Sequence, residues 1–468
     1  MRRLIVIGGG ISGLAAARAA ADRAAEVPGG LDVVVLERDA DVGGKVRTAR
    51  EDGWLVEEGP TGFLDNEPAL DRLIAAAGLE RRPADEAAAH RYLVRGGTMR
   101  EIAAHPVRFV RSGILGPLGL LRIALEPVIP GRDHDTGDES VWQFACRRLG
   151  RQAADRLIAP MVLGVFAGDA KRLSLPASFP KMAQMESEHG SLVRALIARR
   201  RAAKSSGQTV GGPAGPAGWL TSFDGGLAAL PRALARTPGL RVETGVTAQA
   251  VRPRAGGGFV VEREPGPALE ADAVVLAGEP WAMAPLVQDA DRELARLLGG
   301  IDCPPVTVVA LGWRREQAPG VPRGFGVLIP RGEGYRILGC LWDSFIFPGR
   351  APEGHVLVRA MLGGAVDREV GSWDERRTIE QTRADLARLL GVTAEPVFAR
   401  VARWPRAIPQ YEIGHRERVA AIERRAAAMP GLFVAGNALD GIAFGKAAAR
   451  GVAMGEAAAR FVIEGRVV

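Results

Sequence analysis

Near its start the chain carries Gly8, Gly10 and Gly13 in the spacing G-x-G-x-x-G, with Ile11 and Ser12 between them. The apolar run Leu4-Ile5-Val6-Ile7 precedes these glycines and an Ala-rich run from Ser12 to about Ala25 follows. The glycines therefore sit between a strand and a helix, where a backbone without side chains admits a pyrophosphate and the first N–H groups of the helix lack intrahelical partners. Alone, the spacing is a weak signal. Glu37 strengthens it, because it ends the next apolar stretch, Asp32 to Leu36. A carboxylate there accepts hydrogen bonds from an adenosine ribose, whereas a cation would favour a 2′-phosphate. Gly43-Gly44, followed by Lys45 and Arg47, adds a second close glycine approach with positive charge beside it. The combination points to FAD rather than NAD, with Arg38, next to Glu37, among the cofactor contacts.

The elements that must position these groups follow from apolar pattern. The first 37 residues read as a βαβ unit. From about 83 to 203 the pattern becomes helical, with Trp142-Gln143-Phe144 and Leu157-Ile158 spaced like amphipathic faces. Residues Ser205 to Gly218, rich in Gly, Pro and Ser, have little to bury and read as a loop or linker. Strands are expected at 240–244, 273–277, 306–311, 326–329 and 355–362, and again at 431–437, ahead of an Ala-rich helix from about Lys446 to Ile463.

A hydrophobic content of 47% over 468 residues supplies cores for two or three domains. Cys146, Cys303 and Cys340 are dispersed and odd in number, so a reducing compartment fits better than a disulfide framework. Met1-Arg2-Arg3 runs straight into the first strand, which predicts a cytosolic start rather than a signal peptide. The six histidines are dispersed and no metal site is expected. The net charge of +7 comes from scattered arginines, so nucleic acid is not an expected partner. The apolar stretch Ile114–Leu121 is too short to span a bilayer, which needs ~20 residues. With Arg108, Arg111, Arg122 and Arg132 around it, the segment Phe109–Pro130 reads either as a reversible membrane contact or as a helical core broken by Pro117 and Pro127.

The run Val42-Gly43-Gly44-Lys45-Val46-Arg47-Thr48, then Glu58-Gly59-Pro60, is similar to the amine oxidase and protoporphyrinogen oxidase flavoprotein superfamily. Within it, His90-Arg91-Tyr92, Gly164 to Asp169 with Leu173-Ser174, and Phe223-Asp224-Gly225-Gly226-Leu227 resemble the protoporphyrinogen oxidase family. So do Gly324-Phe325-Gly326, Met361-Leu362-Gly363-Gly364 and Ile408-Pro409-Gln410-Tyr411, in that family's order over essentially the whole chain.

The resemblance implies an α/β, p-hydroxybenzoate-hydroxylase-like fold. A discontinuous Rossmann-like FAD domain (1–82, 214–292 and 403–468) would be joined by a helical, membrane-associating lobe (83–213) and a sheet-rich substrate domain (293–402). It further implies that Arg91 holds a propionate of a tetrapyrrole, which a guanidinium fork suits. Phe325, Leu328, Leu341 and Met361 would sandwich the macrocycle, and Gly164 would face the reacting methylene carbon. Gly59, Pro60, Thr61, Val246, Gly436 and Ile442 match flavin or adenine contacts.

The implied reaction is oxidation of protoporphyrinogen IX with dioxygen as acceptor, coproporphyrinogen III being the runner-up. A homodimer and peripheral contact with the inner face of the cell membrane complete the implied partners. An amine oxidase shares the N-terminal motifs but should carry a substrate-lobe Lys, and the strand Pro305–Leu311 has none. A flavoprotein that binds a tetrapyrrole without oxidising it is the remaining alternative. One departure motivates it: where the family usually has Pro-x-Cys, this chain has Gly445-Lys446-Ala447. A Lys in the first turn of a helix opposes the helix dipole, so Lys446 reads either as meeting the negative charge of a reduced flavin or as reaching into solvent.

Overall fold

The computed structural model describes residues 2–25, 30–103, 105–132, 137–206 and 218–465. Most of the Gly/Pro/Ser stretch, residues 207–217, lies outside them.

Five parallel strands form the first sheet, in the order Leu240–Thr244, Asp32–Glu37, Arg3–Ile7, Ala273–Leu276, Leu432–Val434. A parallel sheet is covered on both faces, which is why its inner strands read as unbroken apolar runs. Leu4, Val6, Val33 and Val35 face one core, whereas Ile5, Ile7, Val34 and Leu36 face another. On the first face the helix Ile11–Ala25 packs against the long C-terminal helix Phe444–Glu464. They touch backbone to backbone. A Cβ on Gly451 would stand 2.2 Å from the Ser12 carbonyl oxygen, and one on Gly455 2.1 Å from that of Ala16. The C-terminal segment thus returns onto the first helix, as its Ala-rich pattern predicts.

A second sheet has seven strands, in the order Phe398–Trp404, Val306–Arg314, His355–Gly363, Ile337–Leu341, Gly326–Leu328, Arg91–Arg95, Thr98–Glu101. The last two correct the expectation of a purely helical segment from 83 onward. Residues 91–95 and 98–101 form an antiparallel hairpin joined to this sheet through the parallel pairing of Arg91 with Gly326. The cause is local. Gly96 and Gly97 both adopt positive φ, +57° and +72°, as a two-residue hairpin turn requires. One face of the sheet is sealed, with Val94, Val309, Leu311, Cys340, Val358 and Leu362 packing beneath Leu386, Leu389 and Leu390 of the helix Glu375–Leu390.

The helical lobe comprises Pro106–Arg111, Pro117–Ala124, Val141–Leu149, Ala159–Phe166, Pro180–His189 and Leu192–Ser206, with shorter turns between. Pro117 opens a helix at its first position rather than breaking one. The segment Phe109–Pro130 is neither all core nor all surface: Ile114 and Leu115 are buried, while Leu118 is 81% and Leu121 56% exposed. Within it, Glu126 forms a fully buried pair with Arg148 of the helix Val141–Leu149. The same carboxylate accepts from the backbone N–H groups of Leu192 (2.9 Å) and Val193 (3.1 Å), and so closes the N-terminus of the helix Leu192–Ser206.

Removing one partner of a buried ion pair leaves the other uncompensated, at a cost of about 3–5 kcal/mol. Glu126→Ala should therefore lower the thermal midpoint followed by far-UV circular dichroism, and Glu126→Gln should recover part of the loss. An unchanged midpoint for Glu126→Ala would show that the pair does not hold the lobe.

Candidate active site

The Gly8–Gly13 turn is as tight as its spacing predicts. A Cβ on Gly13 would lie 1.9 Å from the Gly8 carbonyl oxygen, so only glycine brings the helix this close to the strand. Gly10 is the opposite case, because a Cβ there would meet only the Gly43 oxygen at 4.0 Å. The backbone at Gly10 is thus open to a ligand beside the start of the helix Ile11–Ala25, whose first turn carries no acid. Gly43 donates to the Gly9 carbonyl at 2.8 Å, which brings the second glycine pair against the first turn. The buried Glu37 carboxylate accepts from the N–H of Gly9 (2.6 Å) and of Asp39 (2.8 Å), and the Glu37 carbonyl accepts from Val246. These features fit a dinucleotide pyrophosphate at Gly10 and a ribose at Glu37.

The positive charge expected beside Gly43-Gly44 is already paired. Lys45 lies 2.5 Å from Glu279 and Arg47 2.5 Å from Asp39. Arg38 stacks over the Trp281 ring at 5.1 Å. The neighbouring Gly59 is required sterically, since a Cβ there would stand 2.0 Å from the Lys45 carbonyl oxygen.

On the other face of the seven-stranded sheet, the register Arg91, Gly326, Leu341, Arg359 forms one row and Leu93, Leu328, Gly339, Met361 the next. Residues paired across strands share a face, and so do alternate residues along a strand. Arg91, Leu328, Leu341 and Met361 are therefore brought together, all half-buried. Phe325 joins them: its ring lies 4.6 Å from the Arg91 guanidinium, and it packs with Leu341 against Ile346 and Phe347. Burial lowers the Arg91 pKa below its ordinary value. Gly164, on the helix Ala159–Phe166, faces this sheet as well. A Cβ there would lie 2.4 Å from the Leu328 side-chain tip, which places Gly164 against the same sheet face as Leu328.

One loop of the first domain borders the sheet face, and a second is held by Tyr411 and His415. Glu57, Gly59 and Thr61 are bonded to the buried Arg359, a residue that motif reading missed. Its only signal is a lone cation inside the apolar strand HVLVRAMLG. Burial raises the Glu57 pKa, opposed by Arg350, by a hydrogen bond from Thr48 (2.7 Å) and by the Leu227 N–H (2.9 Å). The second loop follows the strand Leu432–Val434 and begins at Gly436, with φ +111°. The Tyr411 hydroxyl donates to the Asn437 carbonyl, and His415 Nε2 bonds the Leu439 carbonyl at 3.3 Å. The Tyr411 and His415 rings stack at 4.1 Å. Ile442 packs towards the helical-lobe core rather than standing apart.

Lys446 is paired within the protein and largely exposed. It lies in the first turn of the helix Phe444–Glu464, yet its ammonium pairs with Glu67 at 2.8 Å and its side chain is 58% exposed. The anion that offsets the unfavourable helix dipole is thus a side chain of this protein.

The profile of flavin-containing amine oxidoreductases matches residues 11–463. Coproporphyrinogen III oxidase of Propionibacterium freudenreichii is 33% identical over 483 residues, covering 94% of this chain and 87% of that protein. Chloroplastic protoporphyrinogen oxidase 1 of Arabidopsis thaliana is 29% identical over 473 residues, covering 94% and 85%. A solved structure from Exiguobacterium sp. 255-15 superposes with a TM-score of 0.84 at 24% identity over 98% of each chain. The α/β architecture with its mixed second sheet is that of this group.

The second loop generates a pH dependence. Burial holds the His415 pKa down to about 4 against an unfolded value of about 6.5. Between these values the unfolded chain binds the extra proton, so stability is full above about pH 6.5 and falls as the pH drops towards 4. Thermal midpoints measured from pH 7.5 to 4.5 should fall less steeply for His415→Gln than for the wild type. Parallel curves would exclude His415 as a contributor.

Proposed function

The chain belongs to the flavin-containing amine oxidoreductase family, and we propose that it is the FAD-dependent enzyme that oxidises a porphyrinogen to its porphyrin in tetrapyrrole biosynthesis. The observation that carries the reading is the shared sheet face: a cation and a set of apolar side chains converge where a flat, carboxylated macrocycle would lie, opposite the Gly59–Thr61 loop. Large planar ligands need apolar walls with a few placed polar groups, and this face supplies both.

FAD, when bound, supplies the chemistry itself, accepting hydride from a saturated bridging carbon and passing electrons to dioxygen to give hydrogen peroxide. Gly10 and the helix Ile11–Ala25 would take the pyrophosphate, Glu37 the ribose, and the loops at Gly59–Thr61 and Gly436–Gly441 the ring system. Arg91 orients the substrate through a propionate, and its stacking on Phe325 fixes the guanidinium plane. Leu328, Leu341 and Met361 exclude water from the macrocycle. A pyrrole N–H of the substrate itself releases the proton, so no side-chain base is required.

Protoporphyrinogen IX is the first candidate substrate. Coproporphyrinogen III is the second reading, favoured by the higher identity to the Propionibacterium enzyme. Porphyrin fluorescence will compare turnover of the two, and turnover of neither would overturn the assignment. In the same assay Arg91→Ala should leave FAD bound and raise KM roughly tenfold to hundredfold, because a charged hydrogen bond contributes about 1.5–3 kcal/mol. An unchanged KM would remove Arg91 from the substrate site.

We further propose that the protein works on an anionic membrane surface, docked through its helical lobe. Val107, Val110, Leu118, Leu121, Leu125 and Val128 are all exposed there, with exposed Arg108 and Arg111 among them. No helix among the described residues is long and apolar enough to cross a membrane. Leu118→Glu with Leu121→Glu should abolish co-sedimentation with anionic liposomes while leaving the thermal midpoint within a few degrees. Liposome binding that survives the double substitution would locate the contact elsewhere.

A further inference from the structure

The strand His355–Gly363 is apolar apart from His355 at its start and Arg359 at its centre, and Arg359 is 1% exposed. A guanidinium has five N–H donors in one plane. Here all five are used. Nε and Nη2 donate to the Asp343 carboxylate at 2.7 and 3.1 Å. Nη1 donates to the Glu57 carbonyl at 2.7 Å and the Gly59 carbonyl at 3.0 Å, and Nη2 to the Thr61 hydroxyl at 2.7 Å. Two bonds therefore stay with a counter-ion next to the sheet and three cross to the loop of the first domain. On the same strand, two residues on and on the same face, stands Met361, and across the register stands Leu341. One side chain thus connects the wall proposed for the substrate to the loop proposed for the flavin.

We propose that Arg359 is a positioning residue. Its plane sets how deeply the Glu57–Thr61 loop seats on the sheet, and so the separation between a substrate carbon held on the Leu341–Met361 face and a flavin held at Gly59–Thr61. The inference rests on the porphyrinogen oxidase reading for its substrate, but its geometry is independent of it. Asp343 supplies the negative charge that lets the guanidinium be buried, and the loop carbonyls use the donors that the carboxylate leaves over. A lysine at 359 retains the charge but has three donors radiating from one point, so it can satisfy Asp343 without spanning Glu57, Gly59 and Thr61 together.

The test compares wild type, Arg359→Lys and Thr61→Val, the last removing one loop bond without touching the buried charge. Three quantities are read: FAD per chain, the visible circular dichroism of the bound flavin, and the anaerobic rate at which porphyrinogen reduces it in a stopped-flow instrument. Arg359→Lys should retain FAD and show an altered visible dichroism. Its reduction rate per bound flavin should fall on the order of tenfold to hundredfold, as for a reactant displaced by about 1 Å, with the apparent substrate affinity changed far less. Thr61→Val should move the same two quantities in the same direction by less.

A merely stabilising ion pair would lower the thermal midpoint and the FAD content while each remaining flavin kept its wild-type dichroism and rate, and that result overturns the proposal. If Arg359→Lys fails to fold, Thr61→Val decides by the same readouts. Should no porphyrinogen reduce the wild-type flavin, the substrate reading falls, and the dichroism comparison still decides whether Arg359 seats the loop.

Discussion

A buried guanidinium must have its donors filled, and at Arg359 that requirement can be met only if the seven-stranded sheet and the first domain meet in one arrangement. The neighbouring charges obey the same rule. Arg350, almost fully buried, donates to the Ser222 hydroxyl at 2.7 Å and lies 3.5 Å from Glu57. Glu57 in turn binds Thr48 and the Leu227 N–H. Apolar surfaces slide over one another at little cost, whereas a directed set of buried polar contacts admits a single register. The junction between the lobes is therefore specified by polar groups, although the bulk of each lobe is held by apolar burial.

The two loops nearest the proposed flavin are secured by the same means from opposite sides. Arg359 reaches the backbone of residues 57 to 59, and Tyr411 and His415 reach the carbonyls of Asn437 and Leu439. In each case a side chain from another element holds main-chain oxygens. Such loops keep their course through backbone conformation, so their own side chains have freedom to vary. Gly59 and Gly436 mark the positions where that conformation or close approach excludes any larger residue.

The dinucleotide half was legible because its signals are local. Strand, glycine turn, Ala-rich helix and terminal acid lie within 37 residues, and each has one physical reason to be there. The hairpin at 91–101 carried a comparable signal in Gly96-Gly97, flanked by Tyr92-Leu93-Val94 and Thr98-Met99, yet it was obscured by the long helical segment that follows. Arg359 was illegible for a different reason: its loop partners are separated from it by 298 to 302 residues, and no local pattern announces such a bond. Lys446 is a second case of a partner distant in sequence. A departure at a flavin-facing position suggested an electrostatic task towards the cofactor, but its partner is Glu67, which only the fold brings near. Gly164 is singled out by resemblance, and its neighbour Leu328 becomes visible only with the helix placed on the sheet.

The first sheet takes its five strands from residues 3–7, 32–37, 240–244, 273–276 and 432–434, and its outer cover is the last helix, Phe444–Glu464. During synthesis the nucleotide turn therefore emerges well before the helix that supports it. Until the helix Phe444–Glu464 leaves the ribosome, the helix Ile11–Ala25 has no partner for the face that Gly451 and Gly455 will meet. Contacts that close so large a loop form slowly and leave apolar surface open to chaperones or to aggregation in the interval. Truncation from the C-terminus would accordingly remove more than a peripheral helix: it would deny the N-terminal nucleotide turn the support on which its geometry rests.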